Sequence, residues 1–227
     1  LAPDIQRRIG FPWSPGMVER SRRSAGATIA AARAAFDDGV AVNLAGGTHH
    51  SFSDRGEGYC VFNDVAIAAR VMQREARAAR IAVVDCDVHQ GNGTAAIFAG
   101  EHRVFTASIH EQDNYPPVKP PGSIDIGLPR GTDDEAYLRA LDPMVERVVA
   151  RMPDLVVYVA GADPFVDDQL GRLALTREGL RRRDRLVFQA LAASGVPVVV
   201  VLAGGYARRI DDTVAIHAAT IEACAEA

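Results

Sequence analysis

Short, nearly continuous apolar runs alternate along this chain with longer segments whose apolar residues recur every three or four positions. The runs "VAVNLA" (40–45), "IAVVDC" (81–86), "RVFTASI" (103–109), "LVVYVA" (155–160) and "VPVVVVLA" (196–203) predict strands. The intervening segments 14–38, 63–79, 133–151 and 176–194, and the chain after 208, predict helices, with Val65, Ala68, Ala69 and Met72 as one helical stripe. Asn63 and Thr176 suit the N-cap position. Strands apolar on both faces and joined by helices imply a parallel sheet covered on both sides, an α/β class. No linker, repeat or low-complexity tract interrupts the pattern, so one domain over 1–227 is expected. The Pro- and Gly-rich stretch 110–127 predicts an ordered, extended loop too long to be a simple connection.

Composition narrows the function classes. Hydrophobic residues make up 48% and charged residues 24%, a globular balance, and no run of 18 apolar residues exists to span a membrane. The first residues carry Asp4, Arg7 and Arg8 and lack an apolar signal core, so no secretion signal is expected. A net charge of −4 argues against direct nucleic-acid binding. The basic run "LRRRDR" (180–185) reads as the solvated face of a helix. Cys60, Cys86 and Cys224 are odd in number and lack CxxC spacing, which points to a reducing, cytoplasmic setting; Cys86 is expected to face away from its acidic neighbours as an inert thiol.

The strand ends hold the chemistry. In open parallel sheets ligands bind beyond the carboxyl ends of the strands. Here those ends run into His49 and His50, into Asp85, Asp87 and His89, into Asp163, and into Tyr206. Alternation puts Asp85, Asp87 and His89 on one side for as long as the chain stays extended. Each feature alone has a dull reading as a cap, a surface residue or a turn. Together, two aspartates and one histidine give a divalent metal three protein ligands and leave positions open for water and substrate. That donor set suits Zn²⁺, with Fe²⁺, Co²⁺ or Mn²⁺ possible. Phosphate-loop, nucleophile-elbow and HExxH signatures are absent. Ser108 and His110 could suggest a nucleophile pair, but no acid is in evidence to orient the histidine.

The blocks "GGTHHSFSDRGEGYCVFND", "DCDVHQGNGT", "GADPF…DQLGRL" and "LAGGY" resemble the signature blocks of the zinc-dependent histone deacetylases and their bacterial relatives. "HHSFSDRGEGYC" and "RRDRLVF" look closest to the class IV branch. The resemblance implies the arginase–deacetylase fold, with Asp87, His89 and Asp163 as zinc ligands. It implies that His50 acts as general base on the metal-bound water and then as acid toward the leaving amine, with His49 in electrostatic support. Tyr206 would stabilise the oxyanion. Asp85 would orient His49 and join a potassium site with Ser108 and the carbonyls of Asp87, His89 and Ile109; a second potassium would sit near Phe98, Glu101 and Val104. Tyr59 and Tyr115 match the aromatic walls of the acyl-lysine tunnel, with core packing as their alternative, and Gly58 matches a residue whose carbonyl meets substrate.

Departures from the family pattern also matter. Gln90 and Asn92 stand where class I members have His and Asp, so Asn92 is expected to leave His50 without a full negative partner. Family members usually carry several dozen residues before the point where this chain starts, including a strand and a rim loop. The expectation is a hydrolase removing acetyl or longer acyl groups from lysine in proteins or peptides. Its competitors are a deacetylase of small acylated amines such as acetylpolyamines, and a non-catalytic acyl-lysine or metabolite binder. A binuclear ureohydrolase needs more acids than these strand ends supply.

Overall fold

The computed structural model describes residues 2–226. Its helices are α1 (Pro3–Ile9), α2 (Pro15–Asp38), α3 (Asp64–Arg74), α4 (Asn92–Ile97), α5 (Asp134–Val149), α6 (Arg177–Ser194) and α7 (Ile210–Ala225). Its strands are β1 (Val40–Asn43), β2 (Ile81–Asp85), β3 (Val104–Glu111), β4 (Ile124–Leu128), β5 (Leu155–Ala160) and β6 (Val198–Leu202). Local chemistry marks the helix starts. The side chains of Ser14, Asn63, Asp133 and Thr176 each accept a hydrogen bond from a backbone N–H in the first turn. Among the described residues no helix is long and apolar enough to cross a membrane.

The six strands form one parallel sheet in the order β1-β6-β5-β2-β3-β4. Alternate residues feed two cores. Val84, Cys86, Tyr158 and Val200 pack with α5, α6 and α7. Ile81, Val83, Val157 and Val199 pack with α2, α3 and Phe98. Cys86 does face away from the acids beside it, and all three cysteines are free and buried.

From β2 the chain steps outward to β3 and β4, then returns to β5 and steps the other way to β6. The direction therefore reverses between β2 and β5, and a crevice opens beyond the carboxyl ends of strands at such a point. Those two ends carry Asp85, Asp87 and His89 on one side and Asp163 on the other.

Two expectations change, and two short helices appear that the pattern did not mark. Residues 110–127 are not all loop, because β3 runs to Glu111 and β4 starts at Ile124 as an edge strand with the alternating burial of a half-exposed strand. The short helices α1 and α4 had no periodic signal. The run 180–185 is not simply solvated, since Leu180, Arg183 and Asp184 are buried and only its remaining arginines reach water.

Candidate active site

β2 ends at Asp85, and the chain then bends, so strand alternation does not extend through Asp87 and His89. The bends turn both toward Asp163, and ligand atoms of Asp87, His89 and Asp163 all lie within 4.8 Å of one another. All three are buried. His89 Nδ1 sits 3.0 Å from Asp87 Oδ1 and 3.3 Å from Asp163 Oδ2. Backbone amides hold the outer oxygens: Val88 N–H donates to Asp163 Oδ1 and Gly204 N–H to Asp87 Oδ2, each at 2.9 Å. A Cβ on Gly204 would collide with the Asp163 carboxylate, so that close approach requires glycine.

The electrostatics are unbalanced. Asp163 Oδ2 is buried, and the best donor it meets among the described residues is His89 Nδ1 at 3.3 Å, outside good hydrogen-bond geometry. Burial and the negative Asp87 push the Asp163 carboxyl up to about 7. Burial works against a charged His89, yet its contacts with Asp163 and Asp87 prevail and raise it to about 10. Two buried carboxylates, one of them incompletely partnered, and an imidazole aimed at both form a donor set that a divalent cation fits.

Behind this trio lies the histidine pair. His49 Nδ1 is 2.7 Å from Asp85 Oδ2, and the two Nε2 atoms of His49 and His50 are 3.1 Å apart. Burial disfavours protonation of His49, but Asp85 and Asp87 overcome it and lift the imidazole to about 9. Burial and the neighbouring His49 drive His50 well below its ordinary range. The two imidazoles are therefore pushed apart in basicity, His49 toward its cationic form and His50 toward its neutral one.

A cavity of about 480 Å³ leads to the trio. Its lining includes His50, Asp87, His89, Gly58, Tyr59, Tyr115 and Tyr206, while His49, Asp85 and Asn92 lie behind it. Tyr59 is 45% exposed, which rules out the core-packing alternative for it. Tyr115 stands edge-on to His50, with ring centroids 4.9 Å apart. Gly58 has φ +55°, and a Cβ there would come within 2.7 Å of the His50 ring. At the mouth the charged side chains are Arg7, Arg8 and Arg20.

Ser108 lies elsewhere. It hydrogen-bonds His110 at 2.9 Å, and both are buried. Ser108 and Asp85 line a separate cavity of about 10 Å³ whose lining does not include Ile109. At the expected second potassium position, Glu101 is engaged by Arg70 and Arg103.

Two residues escaped the sequence reading. Asp168 accepts the Tyr206 N–H at 2.6 Å and the Leu170 and Gly171 N–H groups at 2.8 Å, fixing the loop that carries the tyrosine. Glu57 Oε1 accepts from Asn92 Nδ2 at 2.9 Å and from the Tyr115 hydroxyl at 2.8 Å. His50 Nδ1 bonds Asn92 Oδ1 at 2.7 Å, so a carboxylate does stand behind His50, one residue removed. The direct partner of His50 is thus the neutral Asn92 amide, as expected, with the Glu57 charge one residue further back.

A family model described as the histone deacetylase domain matches residues 5–221. An uncharacterized protein of Picosynechococcus sp. is 49% identical over 218 residues, covering 96% of this chain and 73% of its own length. "Histone deacetylase 2" of Arabidopsis thaliana is 33% identical, covering 92% of this chain and 54% of its own. Among solved structures, an acetylpolyamine aminohydrolase from Burkholderia pseudomallei aligns with a TM-score of 0.77 and 30% identity. That alignment covers 88% of this chain and 61% of the Burkholderia chain. The chain thus spans little more than half the length of some relatives it matches.

Proposed function

The chain belongs to the histone deacetylase family and has the fold of its solved neighbours, and on that premise we propose that it is a metal-dependent hydrolase removing acetyl or longer acyl groups from lysine side chains. The observation that carries this reading is the buried Asp87–His89–Asp163 trio, two carboxylates converging on one imidazole with the Asp163 oxygen poorly partnered, at the end of an aromatic-walled cavity. Asp87, His89 and Asp163 would hold the cation, for which we propose Zn²⁺, the same donors also suiting Fe²⁺. A divalent cation there supplies Lewis acidity toward an amide carbonyl.

The protein's own groups do the rest. Neutral His50 accepts a proton from the attacking water and returns it to the departing amine. His49, kept cationic by Asp85, favours negative charge developing beside it. The Tyr206 hydroxyl lines the cavity and donates to the carbonyl oxygen; burial, with Asp87 and Asp163, raises its pKa and keeps it protonated. Gly58, Tyr59 and Tyr115 form the walls that orient an extended aliphatic chain. The small cavity beside Asp85 and Ser108 has about the volume that holds one water-sized species, and this supports a structural K⁺ there as a further proposal.

The similar acetylpolyamine aminohydrolase structure favours a second reading, deacetylation of small acylated amines. Arg7, Arg8 and Arg20 at the mouth weigh against it, because a polycation would enter against like charge. The test is to load the purified chain with Zn²⁺ and assay an acetyl-lysine peptide beside acetylputrescine. Faster turnover of the peptide is expected. Preference for acetylputrescine would replace this reading with the second, and no acetate release from either would contradict both.

A further inference from the structure

Asn92 touches two groups that make opposite demands on its amide. Its Oδ1 faces His50 Nδ1 at 2.7 Å, and its Nδ2 faces Glu57 Oε1 at 2.9 Å. An ionised carboxylate can only accept hydrogen bonds, so the amide must turn its NH₂ toward Glu57. That turn commits Oδ1 to His50 as an acceptor. Nδ1 of His50 must then carry the ring proton, and Nε2, which points toward His49, is left with its lone pair. The flipped amide would aim an oxygen at the carboxylate and an NH₂ at Nδ1, favouring the other tautomer.

The same Glu57 oxygen takes the Tyr115 hydroxyl at 2.8 Å, tying down the ring that stands edge-on to His50. Its other oxygen lies 3.5 Å from Arg55 Nε. We propose that Glu57 is a positioning residue: through the Asn92 amide it selects the His50 tautomer able to accept a proton, and through Tyr115 it braces the cavity wall against that ring. This rests on the amide-hydrolase reading only for its consequence in turnover; the choice of tautomer is independent of it.

Substitution to glutamine keeps the size of the side chain but lets its own NH₂ face Asn92, so the Asn92 amide is free to flip. Asn92→Asp alone places two carboxylates face to face. The double variant Glu57→Gln/Asn92→Asp restores a donor–acceptor match, with an acceptor again facing His50. In the Zn²⁺-loaded full chain, Glu57→Gln and Asn92→Asp should each lower kcat, about 10- to 100-fold as for other residues that orient a site's ligands. The double variant should recover to above either single variant. A role confined to packing predicts no such mutual rescue.

The second readout is ¹⁵N-histidine NMR on the full chain. It should show His50 protonated at Nδ1 in the wild type and shifted toward the Nε2–H form in Glu57→Gln. If Glu57→Gln does not fold, Asn92→Asp against the double variant decides by the same rescue. A kcat of Glu57→Gln within threefold of wild type, a double variant no better than the worse single, or an unchanged His50 tautomer would overturn the assignment. If the tautomer shifts as stated while even wild type releases no acetate, the hydrolase reading fails and the role of Glu57 stands.

Discussion

Two buried charge clusters lie on either side of the strand ends, and they are finished differently. On the α6 side, Arg183 and Asp184 are 0% and 1% exposed. Asp184 accepts from Arg183 Nε at 2.9 Å, from the Tyr158 hydroxyl at 2.5 Å and from Thr220 at 2.6 Å, so neither carboxylate oxygen lacks a donor. Arg183 donates onward to the Gly161 carbonyl at 2.6 Å and the Cys86 carbonyl at 3.4 Å. On the other side, Asp87, His89 and Asp163 are as deeply buried, but Asp163 Oδ2 meets no donor better than His89 Nδ1 at 3.3 Å. Buried ions persist only when paired and hydrogen-bonded. The first cluster balances one carboxylate with one guanidinium, although Arg183 Nη2 makes no hydrogen bond beyond its ion pair with Asp184, whereas the second sets two carboxylates against one imidazole, a donor set that a divalent cation fits. The two are connected, because Cys86 immediately precedes Asp87 and Gly161 lies two residues before Asp163. Arg183 thus anchors the strand ends that present the open site.

Opening the closed cluster is the largest perturbation expected. Asp184→Asn leaves the Arg183 charge uncompensated, and breaking a buried pair this way costs about 3–5 kcal/mol of stability. Urea unfolding should register that loss, and a change below about 1 kcal/mol would show that the cluster is not closed as described. Tyr206→Phe should act in the opposite sense, sparing fold and metal content while lowering kcat on the order of 100- to 1000-fold, as removal of one oxyanion donor does. Turnover within about threefold of wild type would deny the phenol that role.

A smaller effect concerns pH. His50 must be neutral to accept a proton, and burial with the cationic His49 holds its pKa below 6.5. The acidic limb of kcat/KM should therefore lie below pH 6.5 with a plateau at neutral pH. A limb centred above pH 7 would reverse the assignment of the two histidines. The smallest effect belongs to His217, which burial and then Arg183 push down to about 4 from an ordinary 6.5. Below about pH 6.5 the unfolded chain takes up a proton that the native state refuses. Stability should then fall as pH drops from about 6.5 to about 4, and His217→Gln should flatten that slope. Equal slopes in the two proteins would show that His217 does not contribute.

What the sequence made legible follows from locality. Asp87 and His89 are two residues apart at the end of an apolar run, and Asp163 follows another, so strand pattern and residue type together marked them. Asp184 was legible in principle. Leu180, Arg183, Asp184, Val187 and Leu191 form one helical stripe, but three consecutive arginines made the segment look solvated. β4 was hidden because five residues at a sheet edge follow a run of prolines. Glu57 could not be read locally, since its partners Asn92 and Tyr115 lie 35 and 58 positions away and only the fold joins them.

The contrast between a closed and an open cluster is tested most directly by metal titration of chelator-treated protein, reading bound Zn²⁺ by calorimetry and elemental analysis. Wild type should take up one equivalent at this site, Asp163→Asn should lose most of it while remaining folded, and Asp184→Asn should retain it under conditions where it stays folded. Full occupancy in Asp163→Asn, or loss confined to Asp184→Asn, would contradict the account.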